Sequence, residues 1–347
     1  MPSAFTVVTS TPGTEALMKH LRYACILFTC FPTVTALAQK AGTLLVANQK
    51  DRTLSLINIG TASQIAVPEE RVTGHEVAAS PDGRTAYVPI YGNAGVGHPG
   101  TDGQEMLVID VASHKVVKTV DFGHPVRPHK PVYDAKRNII YVTTELDNAV
   151  TAVDPRSLKI LYTIPTGAIE SHMLAISHDD KLGYTANVAP GSVSVLDLST
   201  HKNVAVIPVA THVQRISVSN DDKLVFTSDS SAPRLAVIDA SARKVKAWID
   251  LPAKGYGSAP TPDGRYLLLA LPSAAKVAVI NLADLTIAKT IDVPKSPQEI
   301  LVRPDGKVAY VSCNSSHQIA AINLSDWNVA LLEAGEGADG LAWANTR

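Results

Sequence analysis

The feature that most constrains the fold is a module of about 42 residues that recurs along the chain. Each copy opens with a short apolar segment, and three further β-prone segments follow it, separated by Gly, Pro, Asp and Asn. Six of the opening segments read HEVAASPDG, HKPVYDAKR, HMLAISHDD, QRISVSNDD, YGSAPTPDG and QEILVRPDG. The third segments end in Asx residues, at Asn58, Asp110, Asp154, Asp197, Asp239, Asn281 and Asn323, spaced by 52, 44, 43, 42, 42 and 42 residues. A period near 42 with four strands per copy predicts the blades of a β-propeller.

The two ends of the repeat array predict how the ring closes. The first copy begins with TLLVAN, a second strand without a first one, and the chain ends with DGLAWAN, a first strand without a second. One blade is therefore shared between the ends, and this pairing removes exposed sheet edges. The sequence predicts an all-β fold, a seven-bladed β-propeller of four-stranded antiparallel blades over residues 39–347, without a linker or second domain.

Residues 18–38 predict an export signal. From Met18 the chain reads MKHLRYACILFTCFPTVTALA, which combines basic residues, an apolar stretch and small residues at Ala36 and Ala38. We expect cleavage after Ala38 and a periplasmic or extracellular protein with no transmembrane segment in the mature chain. Residues 1–17 are interpreted as an upstream extension, so that translation starts at Met1 or Met18.

Composition and motifs exclude several classes of function. The formal net charge of −1 and the absence of a Lys/Arg block argue against nucleic acid or anionic membranes as partners. Only Cys313 remains after cleavage of the signal, so no internal disulfide is expected. The chain contains no GxSxG, HExxH or CxxCH motif, which removes support for serine hydrolase, zincin and c-type haem chemistry.

One position of the opening segment predicts a ring of polar side chains. It is occupied in the seven blades by His75, His129, His172, Gln214, Tyr256, Gln298 and Asp339. The first strand of every blade lines the central channel, so these side chains are expected at one channel mouth. Three consecutive blades carry histidine, and neutral imidazoles bind divalent transition metals. His75, His129 and His172 are therefore candidate ligands of such a metal, unless their rings merely hydrogen-bond water in the channel.

An insertion in the second blade predicts a loop over this mouth. Between the second and third strands, IYGNAGVGHPGTDGQE replaces the usual short connection. Its residues Tyr91, His98 and Asp102 are expected to reach over the mouth, because long loops in compact folds are often functional. Further charged candidates near the ring are Glu76, Arg127, Glu145, Glu170, Arg215 and Glu299.

The Asx residues that end the third strands have a structural interpretation. Each is followed by a turn, such as LSTHK after Asp197, and its side chain can accept hydrogen bonds from backbone N–H groups two residues on. We predict Asx-turns at these seven positions and not a set of metal ligands.

Several motif pairs resemble a known family. Pro81-Asp82-Gly83 with Tyr87-Val88, Asp180-Lys181 with Tyr184-Thr185-Ala186-Asn187, and Pro304-Asp305-Gly306 with Tyr310-Val311 resemble the YVTN family of β-propeller repeats. From about residue 43 to residue 345 the chain looks like an exported, YncE-like member of that family. The resemblance is specific for the fold and says little about activity, because one fold hosts many functions.

Three functions remain open from the sequence. The first is a non-enzymatic protein that binds a small molecule, a peptide or a partner protein over the ring. The second is a metal-dependent lactonase- or lyase-like enzyme, in which the three histidines hold an ion or act as a general base, assisted by Glu170 or Glu299. The third is a redox role through a bound tetrapyrrole, suggested by a fold relationship to haem d1 propellers. The sequence assigns no residue to a catalytic step.

Overall fold

A computed structural model describes residues 42–61, 63–68 and 74–345. Within these residues, 28 strands form seven four-stranded antiparallel sheets, which confirms the predicted propeller architecture. The predicted upstream extension (1–17) and signal peptide (18–38) lie outside the described residues. Among the described residues, none of the helical segments could span a lipid bilayer.

The strands have the following bounds: β1 (Gly42–Asn48), β2 (Thr53–Asn58), β3 (Ser63–Pro68), β4 (Ala78–Ala79), β5 (Thr85–Gly92), β6 (Asp102–Asp110), β7 (Lys115–Asp121), β8 (Pro128–Asp134), β9 (Ile139–Thr144), β10 (Ala149–Val153), β11 (Ile160–Pro165), β12 (Ser171–Ile176), β13 (Leu182–Asn187), β14 (Ser192–Asp197), β15 (Lys202–Pro208), β16 (Val213–Val218), β17 (Leu224–Asp229), β18 (Arg234–Asp239), β19 (Lys244–Asp250), β20 (Ser258–Pro260), β21 (Tyr266–Leu271), β22 (Lys276–Asn281), β23 (Thr286–Asp292), β24 (Pro297–Val302), β25 (Val308–Cys313), β26 (Gln318–Asn323), β27 (Val329–Glu333) and β28 (Ala338–Asn345). Single 3₁₀ turns span Glu145–Asp147 and Pro272–Ala274. Blade 1 contains β28, β1, β2 and β3, and blades 2 to 7 each contain the next four strands in order, from β4–β7 to β24–β27.

The ring closes through the strands that the sequence assigned to one shared blade. Strand β28 pairs antiparallel with β1, with Thr43 opposite Ala344 and Leu45 opposite Ala342. Each first strand also contacts the first strand of the next blade, from β4 and β8 around to β24 and β28. The seven first strands therefore surround one central channel.

The apolar core lies between the blades. Seven clusters of buried side chains are present, and each combines residues of two neighbouring blades. A blade buries both faces of its sheet in this arrangement, which explains nearly continuous apolar runs such as VSVLDL and VAVINL. The fully buried tyrosines Tyr141, Tyr184 and Tyr310 belong to three of these interfaces.

The turns confirm the structural interpretation of the Asx residues. At each of the seven positions the side-chain oxygen accepts a backbone N–H two or three residues on, as at Asp197 with Ser199 and Thr200. The other six are Asn58, Asp110, Asp154, Asp239, Asn281 and Asn323. In the Pro-Asp-Gly turns, the glycines Gly83 and Gly306 have the positive φ expected there.

Ring closure can be tested with two leucines from strands that follow each other in sequence but belong to different blades. Leu341 of β28 is 4% exposed in the interface between blades 7 and 1, whereas Leu331 of β27 is 51% exposed. We expect Leu341→Ala to lower the free energy of unfolding by about 2–4 kcal/mol, since it leaves a cavity. Leu331→Ala, the matched control, should change it by about 0.5 kcal/mol or less. Urea denaturation measures both, and equal effects would contradict the closed ring.

Candidate functional site

Irregular pairing in the first strands directs side chains toward the channel. The register with the second strand shifts between Pro128 and Pro131, between Ser171 and Met173, between Val213 and Ile216, and between Pro297 and Ile300. A regular strand points successive side chains to opposite faces, whereas a bulge changes their direction. The residue at the ring position and the residue after it, such as His129 and Lys130, can therefore both reach the axis.

The three histidines of the ring come together around one tyrosine. The imidazoles of His129 and His172 stack, with ring centroids 3.7 Å apart, and His75 lies edge-on to His129 at 5.5 Å. The ring of Tyr91 contacts all three imidazoles, at centroid distances of 5.0, 5.1 and 5.6 Å. We call His75, His129, His172, Tyr91 and Glu145 the histidine cluster.

Glu145 links the imidazoles to the insertion. Its carboxylate accepts hydrogen bonds from His172 Nδ1 at 2.9 Å and from the Tyr91 hydroxyl at 2.9 and 3.0 Å. Although burial alone would raise the pKa of Glu145, these hydrogen bonds and the charge of Arg127 lower it. Glu145 therefore remains an acceptor, and His172 donates from Nδ1.

Burial keeps the other two imidazoles neutral. It lowers the pKa of His75 to about 4, and the nearby His172 adds to the shift. The pKa of His129 is lowered well below its ordinary value, first by burial and then by the neighbouring His172, His75, Arg215 and Lys130. At neutral pH these rings thus offer both a donor and an acceptor nitrogen.

Arg127 holds the insertion in blade 2 over the histidine cluster. Its guanidinium donates to Asp102 Oδ1 at 2.6 Å and to the backbone carbonyls of His98 and Gly95 at 2.7 and 3.3 Å. It also reaches Glu145 Oε1 at 3.4 Å. We call residues 93–101 the mouth loop, which connects β5 to β6.

The mouth loop extends from blade 2 as far as blade 4. Gly97 lies against Glu170, the residue that precedes β12, and a Cβ at this position would lie 2.9 Å from Glu170 Oε1. Gly97 also has a φ of +70°, so that a larger residue would be strained as well as crowded. The loop therefore covers the sector of the mouth that the three histidines occupy.

Five charged side chains from five blades form a second group, the ionic cluster. Arg215 donates to the carboxylates of Glu76, Glu299 and Asp339, the last at 2.7 Å. Lys130 donates to Glu76 Oε2 at 2.6 Å and to Glu299 Oε1 at 2.9 Å. The blades that contribute these residues are not all neighbours, so their contacts lie at the channel axis.

The ionic cluster shifts the pKa values of Glu76, Arg215 and Asp339. Although burial opposes it, the pKa of Glu76 is lowered by Arg215 and Lys130, and the pKa of Arg215 is raised well above its ordinary value by its three carboxylate partners. Burial raises the pKa of Asp339 to about 7. The positive charge of Arg215 lowers this pKa, but the negative charges of Glu76 and Glu299 raise it and so offset part of the effect of Arg215. Burial therefore favours the protonated form of Asp339.

The remaining predicted residues lie around these clusters. Tyr256 is half-buried and stacks on the Arg215 guanidinium at 4.8 Å, and Gln214 and Gln298 are half-buried and form no hydrogen bond with either cluster. Asp102 joins the site through Arg127, whereas the His98 side chain is exposed. Glu170 contacts the mouth loop and accepts the Ala189 N–H at 2.8 Å, away from the imidazoles.

Two members of the site were missed by the sequence analysis. Lys130 directly follows the ring residue His129, just as Glu76 and Arg215 directly follow ring residues of their own blades. This second polar position in the repeat is the sequence signal that would have identified Lys130. Gln49 donates from Nε2 to Asp339 Oδ2 at 2.5 Å. Gln49 occupies the repeat position of Tyr91 and Glu145, directly after the YVTN-like segment, and an alignment of that position would have found it.

The donor atoms are not arranged as a metal centre. Among the residues that the structure describes, no group of three His, Cys, Asp or Glu side chains has the geometry to hold an ion. Two of the three imidazoles instead stack face to face, and His172 Nδ1 is engaged by Glu145. The three-histidine metal site therefore stays a prediction without geometric support.

The fold and the polar channel define the chain as a seven-bladed propeller with a charged mouth. A family model gives a narrower classification. Residues 100–306, more than half of the chain, match the cytochrome D1 heme domain, and the chain belongs to that family. No curated protein matches it.

Two solved structures are similar in fold. The hydrazine synthase of Kuenenia stuttgartiensis is 17% identical, with a TM-score of 0.65 over 78% of this chain and 89% of that one. A Bacteroides fragilis chain described as a candidate 6-phosphogluconolactonase is 12% identical, with a TM-score of 0.69 over 89% of this chain and 99% of that one. At these identities the likeness concerns the fold alone.

The residues at this mouth do not fit the haem that the family description implies. To hold such a group, one of these imidazoles would need an open face as wide as a tetrapyrrole, which is far wider than the gaps between these rings. Here Tyr91 lies within 6 Å of all three imidazoles, and His129 is stacked on His172. The donor chemistry of the histidines is suitable, but the packing around them leaves no such face.

The pKa of Asp339 predicts how stability depends on pH. Because its pKa is about 7 in the folded protein and about 4 in the unfolded chain, ionised Asp339 destabilises the fold increasingly as pH rises between these values. Asp339→Asn should therefore stabilise the protein by about 2–4 kcal/mol at pH 8 and by little at pH 4. Urea denaturation of both proteins at the two pH values measures the difference. A difference that does not change with pH would contradict the assignment.

The contacts of Arg127 predict that it restrains the mouth loop. In Arg127→Met, amide hydrogen exchange of residues 93–101 should be at least about tenfold faster, equivalent to about 1.4 kcal/mol of opening free energy. The exposed Arg156→Met serves as the control and should leave the loop protected. Unchanged exchange in Arg127→Met would show that the loop is held by other contacts.

Proposed function

We propose that this protein is an exported binding protein that takes a small polar molecule at the channel mouth, between the ionic cluster and the histidine cluster. The observation that carries the proposal is the ionic cluster itself, in which Glu76, Lys130, Arg215, Glu299 and Asp339 converge from five blades. Clusters of buried ionisable groups with shifted pKa values are characteristic of functional sites.

The cost of burying these charges supports a functional origin. Removing charged groups from water costs several kcal/mol per ion, and apolar replacements of buried ion pairs are often neutral or stabilising. The inter-blade clusters already hold the ring together without a charged axis. A stabilising role alone therefore gives little reason for five charges at one mouth, three of them on the buried side chains Glu76, Arg215 and Asp339.

Two buried polar atoms of the site have no hydrogen-bond partner. They are His129 Nδ1 and Arg215 Nε, in residues that are 2% and 3% exposed. An unpaired buried polar group costs about 1–3 kcal/mol, so native proteins rarely leave one unsatisfied. A bound molecule with both a donor and an acceptor would satisfy such atoms.

The mouth has a sector through which a small molecule could enter. The mouth loop contacts Arg127 and Glu170, at the entrances to blades 3 and 4, whereas Gln214, Tyr256 and Gln298 belong to blades 5, 6 and 7. These three side chains and His75 are half-buried, in contrast to the buried His129 and His172. They would line the entrance and supply adaptable polar contacts.

The predicted signal peptide and the YVTN-like motifs support an exported, YncE-like role, in the periplasm or outside the cell. A peptide or protein partner is disfavoured by the buried position of the charged side chains. The metal-dependent lactonase- or lyase-like alternative gains no support from the donor geometry described above.

The proposal is tested by ligand-induced stabilisation of the full chain. Four panels of small molecules, cationic, anionic, zwitterionic and neutral, would be screened by thermal denaturation. A binder at one hundred times its Kd should stabilise the protein by about 2.7 kcal/mol and raise Tm measurably. His129→Asn should raise the Kd of such a binder at least about tenfold, since it removes an imidazole from the site.

His201→Asn is the matched control, because His201 is exposed in the turn between β14 and β15. No stabilisation by any panel would overturn the proposal, as would stabilisation that is equal in His129→Asn and His201→Asn. Elemental analysis of the same preparations decides the metal-dependent alternative, which requires a stoichiometric ion that is lost in His129→Asn.

A further inference from the structure

Four members of the ionic cluster neutralise one another. Glu76 accepts from Lys130 and Arg215 through separate carboxylate oxygens, and Glu299 does the same. Two carboxylates thus bridge two cations in a closed arrangement. Every oxygen of these carboxylates has a cationic partner, so this part of the cluster carries no net charge.

Asp339 is the fifth member, and it has no cation of its own. Its Oδ1 accepts from Arg215 Nη2 at 2.7 Å, but Arg215 already pairs with Glu76 and Glu299. Its Oδ2 accepts from the neutral amide of Gln49 at 2.5 Å. The cluster therefore contains one carboxylate more than its cations, and the surplus negative charge lies at Asp339 Oδ2.

A buried surplus charge requires either a proton or an additional cation. Gln49 is half-buried in the turn after β1, whereas Asp339 is 4% exposed, so the Gln49 amide lies on the solvent side of Asp339 Oδ2. We propose that the ligand of the mouth is a small hydroxylated ammonium compound whose nitrogen replaces the Gln49 amide at Asp339 Oδ2. This inference rests on the proposed function and specifies the chemical class of its ligand.

The unpartnered Arg215 Nε supplies independent support for the hydroxyl group. It belongs to the same cluster, lies in a side chain that is 3% exposed, and can only donate. An ammonium group alone would leave this donor unsatisfied, whereas an oxygen on the ligand can accept from it. The Tyr256 ring, which covers the Arg215 guanidinium, is half-buried and borders the same position.

The charges around Asp339 predict competition between the ligand and a proton. Asp339 is faced by Arg215 of β16, Lys130 of β8 and Glu299 of β24, together with Glu76 and Tyr256, which precede β4 and β20. With a pKa near 7, Asp339 is about 10% ionised at pH 6 and about 90% ionised at pH 8. An ammonium ligand should consequently bind about tenfold more tightly at pH 8 than at pH 6.

The test compares ethanolamine with ethylene glycol, which has a hydroxyl in place of the ammonium group. Isothermal titration of the full chain in phosphate buffer measures Kd at pH 6 and pH 8. We expect binding of ethanolamine that strengthens about tenfold over this range, and no binding of ethylene glycol. n-Propylamine, which lacks the oxygen, should bind at least about tenfold more weakly than ethanolamine.

Variants of Gln49 and Asp339 locate the binding point. Gln49→Lys places an ammonium group of the chain itself beside Asp339 and should abolish ethanolamine binding while raising Tm at pH 8. Gln49→Met removes the amide without supplying a charge and should retain binding. Asp339→Asn should lose it, and Asp250→Asn, which removes an exposed carboxylate at the end of β19, is the control.

The outcomes separate this inference from the proposed function. Equal binding of ethanolamine and ethylene glycol, or full binding in Asp339→Asn or Gln49→Lys, overturns the ammonium site. If no ammonium compound binds but another panel stabilises the protein in a His129-dependent manner, the inference fails and the proposed function stands. If nothing stabilises the protein, both fail.

Discussion

The pairing of β28 with β1 is the interaction on which the rest of the structure depends. It turns a row of seven sheets into a ring, and only a ring brings Arg215 of blade 5 into contact with Glu76 of blade 2 and Glu299 of blade 7. The closing strand also carries Asp339, so the strand that completes the propeller completes the ionic cluster. Stability of the ring and assembly of the site are thus coupled through one strand.

Two kinds of polar side chain reach the channel axis from neighbouring positions of the first strands. The ring position supplies imidazoles that burial keeps neutral, and the following residue supplies ions that remain charged because they pair. Bulges in the first strands allow both positions to reach the axis. Membership of the cytochrome D1 heme domain family establishes a shared fold, while Tyr91 packed on the imidazoles distinguishes this mouth from a haem pocket.

The sequence predicted more of the fold than of the site. Blade number, strand count and ring closure follow from a repeat that can be aligned, and the structure confirms them. The repeat also marked His75, His129 and His172 as neighbours, and their rings are in contact. It did not mark Lys130, because alternation along a regular strand places the residue after the ring position on the opposite face. It did not mark Gln49, which follows a second strand and meets Asp339 across 290 positions of sequence.

The sequence by itself determined the number of blades, the blade shared by the two ends, and the position in each blade that faces the channel. These properties depend on local periodicity, in which every copy repeats the same pattern of burial and turns. Tertiary structure alone decided which charges pair, which imidazoles stack and which carboxylate lacks a cation. Those contacts join residues of different blades, such as Arg215 and Asp339, which are 124 positions apart. They depend on bulges and on the course of a single inserted loop. The physical reason is that the repeat specifies which way each side chain points within its blade. The pairing of charged side chains at the channel axis depends instead on distances between different blades.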